Sequence, residues 1–585
     1  MRVRFACAAL MGVSLLAAAN APEAAETWRF DRIDQLGGHP VKVLGSPLVI
    51  DTKFGKAVYF NGVDDALQVD VHPLEGAEAF TWEVIFRPDP GGNPQQRFFH
   101  FQERDPKTGQ DTANRMLFEL KAMDGRWSLD GVDYSSADKK GLLDREKLHV
   151  MGVWYAAALV YDGRELRTYV DGALQASAPL HLPPQGPGYT SIGARANLKS
   201  YFKGAIFSAR MTRRALSPSD FLSVPQFREH TIATGLDKGY QVVVADLNHD
   251  GKPDLIALST TSNQLLWYEN PTWEPHVLAT GFSHMINCVT VGAGPDGIPE
   301  IVLASQFDNL AKNSVGLVSV LDHDGDPRRP WKSRDIDRLP SSHRLRLAYI
   351  DDSGQPVVVN AALTGANADA PDFKDDTPLV YYRPGVWKRE TIQPENFGLV
   401  HGLFIDDWDG GGKDEILTAG FQGIHVFKLG DGGQWTRTQI SAGAPEAWPK
   451  SGSSDITVGR LGPERFLAAI EPWHGTEVAI YRIRDGSWQR QVIDTTLSDG
   501  HTILTADLDG NGNDVVIAGY RGTTHNLYLY SYDAGSGTWL RRTLDSGGMG
   551  AGSCAVADLN GDGRPDVACI GFSTANLKWY ENLGR

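Results

Sequence analysis

WYENPTWEPHVLATG, residues 267–281, decides the fold. Its second half is an aromatic residue, four residues of any kind, then an aliphatic one: Trp273 to Leu278. The same spacing returns at Phe227–Ile232, Trp331–Ile336, Trp387–Ile392, Trp435–Ile440, Trp488–Ile493 and Trp539–Leu544. Consecutive copies lie 46 to 58 residues apart. Between copies, apolar runs alternate in the strand period. A repeat of this length with several strands per unit is the signature of a β-propeller, here with seven blades.

The ends of the repeat region say how the ring closes. The chain stops at WYENLGR, residues 579–585, where the first unit continues into its outermost strand. The earliest copy, FREHTIATG at 227–235, has no blade before it and nearly duplicates WEPHVLATG. It is predicted to supply the outer strand of the last blade, which would cover two open sheet edges at once.

The chain has 585 residues and a formal charge of −16, which argues against a phosphate-binding surface and hence against nucleic acid as a partner. Arg2 and Arg4 precede FACAALMGVSLLAAA, followed by small residues; residues 1–25 read as a signal peptide. No later apolar run is long enough to span a bilayer. The expectation is an exported protein, periplasmic or extracellular. The mature chain keeps Cys288, Cys554 and Cys569, an odd count without CxxC spacing. Cys554 and Cys569 fall on successive strands of one blade and could be neighbours, with buried free thiols as the expected state.

Residues 26–222 form a separate all-β unit, joined by a linker at 223–226 to the propeller at 227–585. Runs such as AVYFNG, FTWEVIFRP, LRTYVDG and GAIFSARM alternate in the strand period and are separated by Asn-Gly and Asp-Gly turns. The pattern predicts a two-sheet sandwich, with one short helix near SPSDFL capped by Ser217. GKAVYFNGVDDALQV, VYDGRELRTYVDG and FKGAIFSARMTRRALSPSDF resemble the laminin-G/concanavalin-A-like jelly roll. That resemblance implies glycan binding or scaffolding. No paired-glutamate ExDxxE spacing of a glycosidase appears.

The turns after the first strands of blades one and seven read DLNHDGKPD and DLNGDGRPD. They carry Asp246, Asn248, Asp250 and Asp254, and Asp558, Asn560, Asp562 and Asp566. Alternating oxygen donors in one tight loop suit calcium, and the glycine permits the sharp bend. An Asx-rich turn without metal is the other reading. The turns resemble the FG-GAP/VCBS repeat, which implies calcium there, in a structural role on the face away from the strand entrances. Blade six (Asp507, Asp509, Asn511) and blade four (Asp407, Asp409) keep part of the pattern.

At the opposite ends of the inner strands, repeat alignment places His343, His401 and His501 at equivalent positions, with His284 within two residues of the same place and Tyr240 in blade one. Inner strands line a propeller's channel, so these imidazoles are expected to ring one mouth and to hold a divalent transition metal or magnesium. Loops opening on that face carry Gln306, Asn360, Gln422, Glu471, Trp473, His474, Tyr520, Arg521 and His525. His474 is the first choice for a general base and Glu471 the second; Arg521 or Tyr520 would serve the leaving oxygen; Gln306, Gln422 and Trp473 would contact substrate.

LLWYENPTW, SHRLRLA, HGLFIDDWDG and GHTILTADLDGNG resemble the propeller of aldos-2-ulose dehydratases. This implies a carbohydrate-active lyase performing metal-assisted β-elimination on an oxidised sugar or uronate. The chain departs from that family in lacking a recognisable cupin domain and in carrying the laminin-G-like unit. The competing reading is a non-catalytic glycan-binding or adhesion protein of FG-GAP type.

Overall fold

The computed structural model describes residues 25–584 apart from 136–138, 293 and 295. The apolar leader therefore lies outside the described residues. The fold is all-β: an N-terminal concanavalin-like sandwich and a seven-bladed propeller, with the break between Pro225 and Gln226. No helix among the described residues is long and apolar enough to cross a membrane.

The sandwich is an eight-stranded and a nine-stranded antiparallel sheet. Phe80–Pro88 and Lys203–Thr212 run through the middle of one; Gln95–Arg104 and Asp111–Met123 through the other. Between them Trp82 stacks on Phe101 at 4.1 Å and Phe86 on Phe98 at 4.2 Å, all fully buried. Such rings dominate the core energetics, and Trp82→Ala would cost about 3–5 kcal/mol. The helix predicted near SPSDFL is one 3-10 turn, Pro218–Asp220, and the Ser217 side chain makes no cap bond.

In the propeller, each blade is four antiparallel strands running outward from the axis. The last blade comprises Ala551–Ala557, Asp566–Gly571, Asn576–Asn582 and, as its outer strand, Phe227–Thr234. The closure expected from sequence is thus present, in the register Phe227↔Asn582 to Thr234↔Asn576. Cross-strand pairs fix it: His230 stacks on Trp579 at 4.4 Å and reaches Glu581 at 2.8 Å, and Lys578 pairs with Glu229 at 2.7 Å.

The inner strands have one edge facing the axis, with no further strand to pair it. Side chains of neighbouring blades supply the partners. Gln241 bonds both backbone groups of Cys288; Asn287 accepts from Leu345 N–H; Arg344 donates to His401 C=O. Thr505 donates to Val458 C=O, Thr502 accepts from Cys554 N–H, and Ser553 accepts from Val242 N–H. With the Ser454–His401 contact between blades four and five, this belt passes through all seven inner strands.

Two sequence expectations about these strands need correction. Cys554 and Cys569 are directly opposite in register and form a disulfide, so among the described residues Cys288 alone is a buried free thiol. The inner strand of blade two is Asn287–Val291, shorter than the 284–291 read from sequence, because Ser283 and His284 belong to an exposed turn.

Candidate functional site

In five blades the ladder between the first two strands slips by one residue at its start. The slips fall at Gly239/Gln241, Ser342/Arg344, Val400/Gly402, Gly500/Thr502 and Ala551/Ser553. Tyr240, His343, His401, His501 and Gly552 are the extra residues. A bulge re-aims its side chain, and here the four that carry one turn to the axis. In blades two and five pairing starts at Asn287 and Asp455, which places Ile286 and Ser454 at the corresponding position.

Tyr240, His343, His401 and His501 are 1 to 6 % exposed. His401 lies 4.8 Å from His343 and 5.2 Å from His501 between ring centres; Tyr240 lies 5.0 Å from His501. Blade five, with a small serine in the ring position, fills the space with His474 from the loop after its second strand. His474 N–H donates to Ser454 Oγ, and its Nε2 is 3.3 Å from His401 Nε2. His401, His474 and His501 bring one ring nitrogen each to within 4.8 Å of one another.

Their other nitrogens are anchored. His501 Nδ1 donates to Gly552 C=O, and Ser454 Oγ faces His401 Nδ1 at 3.3 Å. His474 Nδ1 lies between Arg521 Nη2 at 2.9 Å and Asp499 Oδ1 at 3.1 Å. Arg521 in turn grips Asp499 with Nε and Nη2. Burial alone would raise the Asp499 carboxyl, but the His474 and Arg521 hydrogen bonds outweigh it and hold it at about 2. Tyr240 Oη bridges His343 Nε2 at 2.9 Å and His501 Nε2 at 3.3 Å. Because neutral His501 carries its proton on Nδ1, the phenol donates to His501 Nε2 and accepts from His343 Nε2–H. His343 Nδ1 is buried without a partner.

Burial holds His343, His401 and His501 well below the usual imidazole range, reinforced by the Arg344 guanidinium. They are neutral at pH 7, the form that ligates metal or accepts a proton. Anchored Nδ1 atoms with converging Nε2 atoms are the arrangement that outer partners impose on metal-ligating histidines, so the donor set fits a divalent metal.

The remaining sequence candidates divide. His284 is exposed, at φ 44°, outside the cluster: counting back along blade two passes the strand start, and Ile286 holds the ring position. Glu471 is fully buried and already accepts from the Ser453 and Tyr481 hydroxyls and from Arg490 Nε at 2.7 Å, so it is a core ion pair rather than a free base. Tyr520 is buried in the blade core, its hydroxyl against Thr524. Gln422 is bound to Arg437 at 2.8 Å within blade four, and Gln306 sits in a left-handed turn at φ 51°. Asn360 is buried between Ser342 and Tyr382. Trp473 borders the cluster, 4.8 Å from the His474 ring, with its indole N–H unpartnered. Sequence reading missed Asp499, Ser454 and Arg344; none repeats between blades, so periodicity carried no signal for them.

On the turns, Asp254 accepts from the Leu247 and Asn270 backbones, and Asp566 from those of Leu559 and Asn582. Asn270 and Asn582 donate onward to Leu559 and Leu508 of the adjoining blade. These two aspartates are therefore inter-blade clamps with both oxygens engaged. Burial raises both to about 6. Asp246, Asn248 and Asp250, and Asp558, Asn560 and Asp562, curl around Gly251 and Gly563, whose φ near 82° suits only glycine. In blade four, Asp407, Asp409 and Glu415 also approach within 4.8 Å, with Lys428 paired to Asp409 and Glu415.

Three family models match. Residues 61–220 match the Concanavalin A-like lectin/glucanases superfamily (Laminin_G_3), residues 315–484 the aldos-2-ulose dehydratase β-propeller domain, and residues 513–569 the FG-GAP-like repeat. The second match holds His343, His401 and His474 and ends before Asp499 and His501. No curated protein matches the chain by sequence. Among solved structures, domain 4 of the extracellular arabinanase AbnA from Geobacillus stearothermophilus, bound to arabinotriose, is 19% identical over 33% of this chain and 94% of its own, with TM-score 0.27. NanB sialidase from Streptococcus pneumoniae is 13% identical over 92% and 98%, with TM-score 0.33. A putative 6-phosphogluconolactonase from Bacteroides uniformis is 14% identical over 59% and 92%, with TM-score 0.38. The family matches associate the chain with carbohydrate.

Proposed function

We propose that this is an exported carbohydrate-active lyase that eliminates water or an alcohol from an oxidised sugar or uronate at the channel mouth. The observation that carries the reading is the trio His401, His474 and His501, with Nδ1 atoms anchored and Nε2 atoms converging. A divalent metal held there would polarise a sugar carbonyl or carboxylate and acidify the neighbouring C–H. His474 belongs to this trio and is not kept as the base. Tyr240 and His343 take the proton-transfer role. With His501 Nε2 engaged by the metal, the phenol would donate to His343 Nε2 instead, His343 keeping its proton on the otherwise unpartnered Nδ1; the phenol oxygen then accepts the proton from carbon as its own proton passes to His343 Nε2. The electrons of the C–H bond form the double bond, the β C–O bond breaks, and Tyr240 returns a proton to the departing oxygen. Arg521, braced by Asp499, steadies negative charge on that side. Trp473 offers a ring for the sugar face. Calcium at the turns of blades one and seven, on Asp246, Asn248 and Asp250 and on Asp558, Asn560 and Asp562, would stiffen the ring far from this chemistry.

The test is to incubate the full chain with a panel of oxidised sugars and uronate oligosaccharides and follow new ultraviolet absorbance from the double bond. Absorbance that Tyr240→Phe abolishes supports the elimination. Sugar retained without any double bond, in wild type and variant alike, would favour the adhesion reading.

A further inference from the structure

We infer that Arg344 is the carboxylate receptor of this mouth, so that the sugar taken there is an acid. The inference rests on the proposed site and adds its substrate class.

Arg344 follows directly after the bulged His343 and is 6 % exposed. Its Nε donates to His401 C=O at 3.2 Å, and Nη2 stands 3.5 Å from His401 Nε2, the nitrogen that also faces His474. The guanidinium lies 5.5 Å from the centre of the Tyr240 ring. It therefore borders both the trio and the proton-transfer pair. Among the described residues no carboxylate lies within salt-bridge distance of it, Asp455 acting only from farther away, and its remaining N–H groups donate to no protein acceptor. The contrast with its neighbours is sharp: Arg521 is neutralised by Asp499, Arg490 by Glu471 and Glu477.

The charges around the mouth do not balance. Arg344, Arg346 and Arg521 face Asp455 and Asp499, leaving one excess positive charge in a buried site of a chain that is −16 overall. An uncompensated buried charge is costly, and a ligand anion removes that cost. A metal on the trio would enlarge the excess. One planar guanidinium with unused N–H donors matches one carboxylate in a bidentate pair.

The experiment measures binding, by calorimetry on the full chain, of glucuronate, of glucose as its neutral parent, and of glucose 6-phosphate. Each is tested with wild type, Arg344→Gln and Arg344→Lys, both with and without chelator. Wild type is expected to bind the uronate at least 10-fold more tightly than glucose. Arg344→Gln should erase that preference in both metal conditions, and Arg344→Lys should keep part of it. Equal binding of uronate and glucose by wild type, a preference that survives in Arg344→Gln, or a preference for the phosphate would each overturn the inference while leaving sugar binding intact. Failure of wild type to bind any of the three would overturn both the inference and the proposed function. If Arg344→Gln does not fold, the wild-type preference and the Lys variant decide.

Discussion

Blades four and six bring imidazoles to the axis in one way, blade five in another. His401 and His501 are the extra residues of bulges at the starts of their inner strands, held by the backbone of the ring itself. His474 arrives from a loop, over a serine that vacates the ring position, and is steadied by Asp499 and Arg521 of the next blade. The first route repeats because bulge and strand repeat. The second depends on one cavity and one loop. A site built from both is fixed on two sides and adjustable on the third.

The largest effect is expected on the fixed side. His401→Ala or His501→Ala should remove bound divalent metal and lower elimination by about 100-fold or more, since each takes away one of the three nitrogens of the trio. Metal analysis of the purified variants alongside turnover checks this. If both variants keep metal and rate, the strand-borne histidines are not the anchor.

A smaller effect is expected where the loop histidine is braced. Asp499→Asn leaves His474 in place but removes the charge beside Nδ1. Loss of such an outer partner weakens metal by about 10- to 100-fold. Competition with a graded chelator would measure it. An affinity equal to wild type would mean that Asp499 serves only Arg521.

Stability should also separate the strand histidines from ordinary ones. Their folded pKa values lie well below 6.5, the unfolded value, so below about pH 6.5 the unfolded chain binds protons that the fold refuses. Each should cost about 1.4 kcal/mol per pH unit as pH falls. Urea midpoints of chelator-treated protein at pH 7.5 and 5.5 should therefore fall, and less so in His343→Gln. The exposed His284 should leave that dependence unchanged when replaced.

The smallest effect concerns the far rim. Asp562→Asn should change thermal stability only in the presence of calcium, by about 0.5–2 kcal/mol, and leave turnover alone. Calcium-independent melting in wild type would reduce these turns to Asx bends.

What the sequence made legible follows the same division. Ring closure by Phe227–Thr234 and the ring positions of His343, His401 and His501 were readable because they repeat with the blades. His284 misled because blade two lacks the acidic turn that anchors the count, so its strand start was set three residues too early. Glu471 looked like a base because its partners Ser453, Tyr481 and Arg490 are distant in sequence, and burial is not written in a loop motif. The Cys554–Cys569 bond depended on register, which spacing left open. Arg344 and Asp499 are single charges whose meaning lies in which neighbours lack or have a counter-charge.

The most direct test of the central claim is to titrate cobalt(II) into chelator-stripped protein and follow its visible spectrum. The His401→Ala/His474→Ala/His501→Ala variant is the control. The account predicts one equivalent bound with the intense bands of a low-coordinate nitrogen site, absent from the triple variant. Identical spectra in the two proteins, or no uptake by wild type, would contradict it.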